Sequence, residues 1–257
     1  FGLGQFMGYD LPTGRRGSIP DSKTYKRVYP NGGWRSTTIV SNSIGQGEIL
    51  MTPIQLANMM ATIANEGYYY TPHIIKRIEG HKIDKKFTTK HVTTIDKKYF
   101  KPIISGLFDV YNLGTARSLR VEGIDICGKT GTSENFAKIG GKKVQLKDHS
   151  IFVAFAPKDN PKIAIAVMVE NGGYGATIAG PIASLMIEKY LRQKITRIDL
   201  EKRILATSLQ SEYAIFGGLS ETVKLQMRIS DSLLKKKTFI PTVKVKIDST
   251  KENKKAI

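Results

Sequence analysis

Two adjacent apolar segments constrain the fold of this chain more than any other feature of its sequence. Residues 151–156 (IFVAFA) and 163–169 (IAIAVMV) are short runs of β-branched, aromatic and small apolar residues, separated by the turn-forming residues 157–161 (PKDNP). They predict a β-hairpin. Because side chains alternate between the two faces of a strand and both faces are apolar here, the sheet must be covered on both sides. The pattern favours helices packed against both faces.

Three segments with helical periodicity can provide this cover. The first starts with Thr52 as N-cap and Gln55 as its capping-box partner. Its apolar face has the i, i+3, i+4, i+7 spacing of a core-facing helix: Leu56, Met59, Met60 and Ile63. Two further helices are predicted near residues 100–111 and over residues 181–194. Their predicted inward residues are Phe100, Ile103, Ile104, Leu107, Phe108 and Tyr111, and then Ile182, Leu185, Met186 and Tyr190.

A third strand is predicted over residues 125–132, so the fold class is α+β, an antiparallel sheet covered by helices. Residues 1–47 are rich in glycine, serine and proline and predict loop structure, and residues 68–78 predict extended structure interrupted at Pro72. Beyond residue 195 the regular pattern is lost and lysines accumulate. We therefore predict a core domain over residues 1–195 and a basic, partly disordered tail over residues 196–257.

Composition excludes several functional classes. The 257 residues can build a real core, and no apolar run reaches the length of a membrane-spanning helix. The net charge is +18, but the lysines are not interleaved with stacking aromatic residues, so nucleic acid is not an expected partner. One cysteine and four histidines occur without metal-ligand spacing, and the glycine clusters lack a phosphate-binding pattern. No metal or other cofactor is expected.

The segment that points most clearly to chemistry is Lys129-Thr130-Gly131-Thr132 on the predicted third strand. Alternation places the hydroxyls of Thr130 and Thr132 on one face and the ammonium of Lys129 on the other, all along one strand edge. Two hydroxyls and an ammonium suit a substrate carboxylate, and Gly131 leaves room for a peptide to approach. An edge with outward N–H groups can pair with an extended peptide, and the N–H of Thr132 can stabilise an oxyanion.

The Lys-Thr-Gly triplet is one of three short motifs of the penicillin-recognising serine acyltransferases. Further segments resemble the class B penicillin-binding protein transpeptidases, and they occur in the order of that family. They are GYDLP (8–12), SIGQG (43–47), MTPIQL (51–56), IANEG (63–67), GTA (114–116), HSIFVAFAP (149–157), ENGG (170–173) and Pro181. The resemblance covers about residues 1–194. It is strongest to the elongation-specific subclass, penicillin-binding protein 2.

This resemblance implies the C-terminal portion of the penicillin-binding protein and serine β-lactamase-like fold, and a peptidoglycan D,D-transpeptidase reaction that forms cell-wall cross-links. In that family a serine of an S-x-x-K motif attacks a peptidoglycan stem peptide, and β-lactams acylate the same serine. Lys129, Thr130, Gly131 and Thr132 would form the strand side of the cleft. The resemblance also implies a parent anchored in the inner membrane and facing the periplasm. Its expected partners are a membrane glycan polymerase and the elongation machinery.

The sequence departs from the family pattern at the nucleophile. In the family the S-x-x-K and S-x-N motifs precede the Lys-Thr-Gly strand, and residues 1–128 contain neither. We therefore expect the acylating serine to lie in an N-terminal part of the same protein that is outside this sequence, and the chain alone to be inactive. Ser232-Leu233-Leu234-Lys235 and Ser133-Glu134-Asn135 match the motifs in the wrong order, and we interpret them as chance matches.

Two other functions stay open at this point. One is a non-catalytic wall-binding or sensor module whose basic tail contacts acidic wall polymer or anionic lipid. The other is a serine β-lactamase fragment, which would share Lys-Thr-Gly but not the SIGQG and MTPIQ segments. Cys127 is expected to be a small buried hydrophobic residue, and His149 a structural or rim residue despite the neighbouring Asp148.

Overall fold

The computed structural model describes residues 1–11 and 13–216. Its contacts divide the chain into two units, residues 1–209 and residues 210–257. In the second unit, the described residues form the 3₁₀ helix Gln210–Phe216. Among the described residues no helix is both long and apolar enough to cross a membrane, and no three metal-ligating side chains cluster. The domain boundary at residue 195 stays a prediction.

The first unit alternates helices and strands along the chain. Its α-helices are α1 (Ser22–Val28), α2 (Ser36–Ser43), α3 (Pro53–Ala64), α4 (Lys85–Thr88), α5 (Phe100–Asn112), α6 (Ala179–Arg192) and α7 (Ile198–Ala206). Its strands are β1 (Tyr68–Tyr70), β2 (Lys90–Val92), β3 (Cys127–Ser133), β4 (Phe136–Ile139), β5 (Lys142–Gln145), β6 (His149–Ala156) and β7 (Ile163–Val169). Short 3₁₀ helices lie at Lys97–Tyr99 and Arg117–Leu119.

The central sheet has the order β3-β6-β7, and both pairs are antiparallel. The predicted hairpin of β6 and β7 is therefore confirmed, as is the third strand. In the register between β3 and β6, Lys129 lies opposite Val153 and Thr130 opposite Phe152. Two smaller antiparallel pairs, β1 with β2 and β4 with β5, lie outside this sheet.

Helices cover both faces of the sheet, as the two-sided apolar pattern predicted. On one face Phe152 and Ala154 are fully buried in a cluster with Ala183 and Ile187 of α6. On the other face Phe155 packs with residues of α3, and α5 side chains complete this second cluster. Burying one large apolar side chain contributes about 1.5–3 kcal/mol, so these two layers supply much of the driving force for folding.

Helix α3 begins as its sequence predicted and also holds the N-terminal loop. Thr52 and Gln55 form the capping box, in which the Gln55 N–H donates to Thr52 Oγ1 at 3.4 Å. The Gln55 side chain is fully buried, and its Nε2 donates to the carbonyl oxygens of Gln5 (3.0 Å) and Arg16 (2.9 Å). One buried carboxamide thus closes the helix start and holds a loop whose two bonded residues lie 39 and 50 positions earlier in the chain.

The prediction of loop structure throughout residues 1–47 is wrong, because this segment contains α1 and α2. Asp21 is the N-cap of helix α1, and its carboxylate accepts a hydrogen bond from the Thr24 N–H at 2.7 Å. Its one buried residue, Tyr25, stacks on Trp34 with ring centroids 5.3 Å apart. Helices of two turns are too short and too polar for a repeated apolar spacing to appear in the sequence.

Residues 68–78 form a strand only as far as Tyr70. Farther along, the N–H groups of Ile74 and Ile75 donate to the carboxylate of Asp10, at distances of 2.7–3.0 Å, instead of to a strand. These bonds lower the pKa of Asp10 from its ordinary value of 3.8. The GYDLP segment is tied to the chain after β1 by this side chain. Pro12 itself lies outside the described residues.

The predicted inward face of α6 is also partly wrong. Met186 and Tyr190 are 52% and 53% exposed, whereas Ala179, Ala183 and Ile187 are buried against the sheet. Small alanine side chains allow the helix to approach the sheet closely, and the larger residues instead line a groove of about 510 Å³ between α6 and α7. Ile103 of α5, expected inside, is likewise 52% exposed.

Helix α7 lies where the sequence loses its regular pattern, and a buried ion pair precedes it. The Glu188 carboxylate has no exposed surface and accepts hydrogen bonds from Arg197 Nε (2.9 Å) and from the N–H (3.0 Å) and hydroxyl of Thr196. The Arg197 guanidinium also donates to Leu119 O and Ser184 Oγ, each at 3.2 Å. Burial alone would raise the pKa of Glu188, but the donors outweigh it and lower the pKa.

Candidate active site

Strand β3 lies at an edge of the central sheet. In the part of the chain that the structure describes, β3 pairs with β6 alone, so its other side has no partner strand. Backbone groups of alternate residues in an antiparallel strand point to the same side. The Thr132 carbonyl accepts a hydrogen bond from the Gln46 side chain of another segment, and the Thr130 carbonyl accepts one from the neighbouring Lys129 side chain, so both carbonyls point away from β6. We call the side of β3 defined by Thr130 and Thr132 its open edge.

The ammonium of Lys129 lies at this open edge. Lys129 Nζ donates to the carbonyl oxygen of Thr130 at 2.8 Å, and the Lys129 residue is exposed. The hydroxyl of Thr130 forms a 2.9 Å hydrogen bond with the hydroxyl of Thr115, which follows α5. The Lys129 ammonium and the hydroxyls of Thr130 and Thr115 therefore all lie along the accessible side of β3, and these donors are suited to a carboxylate.

Thr132 contacts a different segment of the chain. Gln46, which follows α2 in the SIGQG segment, donates from Nε2 to the Thr132 carbonyl oxygen at 3.2 Å. The sequence showed Gln46 and Thr115 only as members of short motifs and assigned them no role. Their contacts with β3 span 86 and 15 residues along the chain, so no local spacing could reveal them.

Gly131 lies in a closely packed part of the sheet. A Cβ atom on Gly131 would lie 3.3 Å from Cβ of Ile151, which is tighter than an ordinary contact. Gly175 packs against the same two residues. A Cβ atom on Gly175 would lie 2.6 Å from Gly131 O and 2.3 Å from Ile151 O. The proposed role of Gly131 in admitting a peptide stays a prediction beside this observed packing role.

The first residues of β6 form hydrogen bonds with the segment that precedes α6 and with the start of that helix. The buried Ser150 hydroxyl donates to Tyr174 O (2.9 Å) and accepts from the Ala179 N–H (3.1 Å), so it caps α6 from another element. His149 Nδ1 accepts from the Asn171 N–H at 3.2 Å. This bond holds the turn before α6, in agreement with a structural role for His149.

The hairpin of β4 and β5 projects from the end of β3. Asn135, the last residue of the S-x-N match, donates from Nδ2 to Asn171 Oδ1 (2.5 Å) and Lys147 O (3.2 Å). The Leu146 N–H donates to Asn135 O at 2.9 Å. Asn135 therefore fastens the base of the hairpin. The S-x-x-K match, Ser232-Leu233-Leu234-Lys235, lies outside the described residues.

Cys127 opens β3 but is not accessible. It is fully buried against α3 and α5 residues, and its Sγ lies 3.6 Å from Ile104 O. Burial raises the pKa of the Cys127 thiol to about 12. A thiol with this pKa is protonated near neutral pH. The prediction that Cys127 is a small buried residue is confirmed.

Comparisons with known proteins identify the family of this chain. Residues 1–188 match the family model described as the penicillin binding protein transpeptidase domain. The chain is 35% identical over 193 residues to the peptidoglycan D,D-transpeptidase MrdA of Acinetobacter baumannii, an alignment that covers 70% of this chain and 28% of that protein. The chain thus spans less than a third of the length of this curated relative.

Two solved structures share the fold. The crystal structure of Pseudomonas aeruginosa PBP2 in complex with WCK 5153 matches with a TM-score of 0.61 and 31% identity, covering 76% of this chain and 42% of the other. A structure of a peptidoglycan synthase complex, described as coordinating polymerization and crosslinking, contains a chain that matches with a TM-score of 0.63 and 30% identity, covering 76% and 32%.

Proposed function

Because this chain belongs to the penicillin binding protein transpeptidase family, we propose that its β3 edge forms the strand side of a peptidoglycan D,D-transpeptidase active site. The observation that carries this proposal is the presence of the Lys129 ammonium and the hydroxyls of Thr130 and Thr115 along an edge with no partner strand among the described residues. This donor set fits the terminal carboxylate of a stem peptide. The exposed backbone fits the peptide itself.

The proposed reaction exchanges one amide bond for another. A serine oxygen bonds to the carbonyl carbon of the penultimate D-alanine, and the N–H of Thr132 stabilises the resulting oxyanion. The amide C–N bond then breaks, and the terminal D-alanine leaves with the proton that the serine gave up. The amine of a neighbouring stem then attacks the ester carbonyl carbon. The new C–N bond forms, the ester C–O bond to serine breaks, and the serine oxygen takes up the proton that the amine gives up. No redox partner or cofactor enters this balance.

The residues of this chain have a positioning and electrostatic part in that scheme. Lys129 adds positive potential where the carboxylate binds, and Thr130 donates a hydrogen bond. We propose that the acylating serine is not among these 257 residues, because their one S-x-x-K sequence, Ser232–Lys235, follows β3 instead of preceding it. The chain alone would then bind substrate weakly and would not turn it over.

The proposal extends to the whole protein. A membrane-anchored enzyme that faces the periplasm, acts in elongation and maintains cell shape agrees with the similarity to MrdA and PBP2. A glycan-polymerising partner agrees with the match to a structure that coordinates polymerization and crosslinking. A wall-binding module and a β-lactamase are the weaker alternatives, since the family match and the first relatives are transpeptidases.

Fluorescent penicillin labelling tests the proposal. The full-length gene product should be labelled covalently, and Lys129→Ala should slow its acylation by at least about tenfold, the effect of losing one charge-assisted contact. Lys138→Ala, an exposed lysine on β4, is the matched control and should leave the rate unchanged. An unlabelled full-length protein would disprove the proposed function. Labelling of the 257-residue chain alone would disprove the proposed location of the serine.

A further inference from the structure

The Thr130 and Thr132 carbonyls of the open edge both accept hydrogen bonds from the protein's own side chains. Lys129 Nζ donates to Thr130 O at 2.8 Å, and Gln46 Nε2 donates to Thr132 O at 3.2 Å. The two donors differ in what a ligand would require of them. The Lys129 ammonium has further N–H groups with which to bind a carboxylate while it stays near Thr130. The Gln46 carboxamide sits where a peptide N–H would have to be.

An extended peptide that pairs with β3 uses the outward groups of alternate residues. If its terminal carboxylate lies near Lys129 and Thr130, the next outward acceptor along the strand is the Thr132 carbonyl, two residues or about 6–7 Å farther on. The substrate donor that reaches this acceptor is the N–H of the penultimate D-alanine. Gln46 presents the same chemical group, an amide N–H, to the same oxygen.

We propose that Gln46 is a gate on the substrate-binding edge, whose carboxamide mimics the substrate amide and must leave the Thr132 carbonyl before a peptide can pair there. This inference rests on the proposed function and adds to it a residue that sets substrate affinity. Gln46 is therefore a positioning residue that acts on binding through the Thr132 backbone.

The surroundings of Gln46 allow such a movement. Gln46 is half-buried, and Gly45 and Gly47 on either side have φ values of 78° and 70°. A Cβ atom on Gly45 would meet nothing within 4 Å, so open space adjoins the gate. The Gln46 N–H is meanwhile held by Ser41 O at 3.0 Å. Side-chain rotation can thus release Thr132 without unfolding the segment.

The expected effect on ligand affinity follows from the net free energy of the hydrogen bond between Gln46 and Thr132 O. Without the Gln46 donor, water solvates the Thr132 carbonyl, and a ligand has only that water to displace. The gain in affinity is then limited to the advantage of an internal hydrogen bond over water, which corresponds to about threefold to tenfold in a dissociation constant. A residue that only anchored its own segment would instead lower ligand affinity when removed.

The test compares three forms of the full-length gene product: wild type, Gln46→Met and Gln46→Ala. Methionine keeps the length of the side chain without an N–H donor, and Gln5→Ala, at an exposed glutamine, is the matched control. Two probes compete against fluorescent penicillin. One is an acyl-D-alanyl-D-alanine peptide, and the other is the same peptide methylated at the amide nitrogen of its penultimate D-alanine.

The gate predicts that both Gln46 variants bind the first peptide about threefold to tenfold more tightly than wild type, with no such gain for the methylated peptide, which has no N–H for Thr132. Equal or weaker binding of the first peptide by both variants, or an equal gain for both peptides, would overturn the gate. If the wild-type protein is not labelled by penicillin, the proposed function fails and the gate fails with it. Normal labelling with an unchanged affinity ratio rejects the gate alone.

Discussion

Replacing Glu188 by alanine should destabilise the protein by about 3–5 kcal/mol. The Glu188 carboxylate has no exposed surface and binds Arg197 at 2.9 Å and the Thr196 N–H at 3.0 Å. Its removal leaves a cavity and leaves the positive charge of Arg197, whose side chain is only 21% exposed, without its counter-charge. Removing one partner of a buried ion pair has this large cost because the remaining charge is still desolvated.

The assay is thermal or urea unfolding followed by far-UV circular dichroism, and the expected loss corresponds to roughly 6–20 °C in Tm for a domain of this size. Asp96→Ala is the control, because its ion pair with Lys98 (3.7 Å) has both side chains about 70% exposed, and it should cost under about 1 kcal/mol. In a double-mutant cycle, Glu188→Ala with Arg197→Ala should lose clearly less stability than the sum of the single variants.

The dependence of stability on pH in acid gives a second test of the role of the Glu188 carboxylate. Its folded-state pKa is lowered from an ordinary value of 4.5, so its contribution to stability is complete above about pH 4.5 and is lost as the pH falls through the folded value. Glu188→Ala should therefore flatten stability against pH in that range. A loss under 1 kcal/mol, or additive single variants, would refute the argument that this pair is tightly coupled.

Three further predictions concern single residues. Cys127, with a thiol pKa of about 12, should resist iodoacetamide at pH 8 in the folded protein and react only after denaturation, as mass spectrometry would show; alkylation at the rate of a free thiol would contradict its burial. Asp10→Asn should make the free energy of unfolding depend less on pH below about pH 4, because the N–H groups of residues 74–75 lower the pKa of the Asp10 carboxyl. An unchanged pH dependence of unfolding would contradict this prediction. Gly175→Ala should lower Tm by several degrees, because the new Cβ would lie 2.3 Å from Ile151 O; a fully stable variant would show that the backbone there yields easily.

The central sheet could be predicted from the sequence because its signal is local. Alternation in residues 151–156 and 163–169 shows both faces apolar, and the turn between them contains two prolines, so the hairpin and its two-sided cover follow directly. The capping box of Thr52 and Gln55 fixes the start of α3 for the same reason. In each case the residues that decide the structure are close neighbours in the chain.

The parts that could not be predicted depend on distant contacts. Met186 and Tyr190 of α6 were predicted to face inward but instead line a groove whose other side is α7, a helix that was not predicted from the sequence. The space between α6 and the sheet favours small alanine side chains over methionine, and the spacing of apolar residues in the sequence does not report that space. At the site, the contact of Gln46 with Thr132 joins segments 86 residues apart, so the motif predicted the strand but not its side-chain donors.

The side-chain donors along β3 also bear on solubility. A strand with one side unpaired is a template on which identical molecules can add strand to strand, the first step of aggregation. Lys129 and Gln46 satisfy the two outward acceptors of Thr130 and Thr132, and the charge of Lys129 repels the same edge of another copy. An edge strand that carries these donors and this charge thus discourages self-association while staying uncovered.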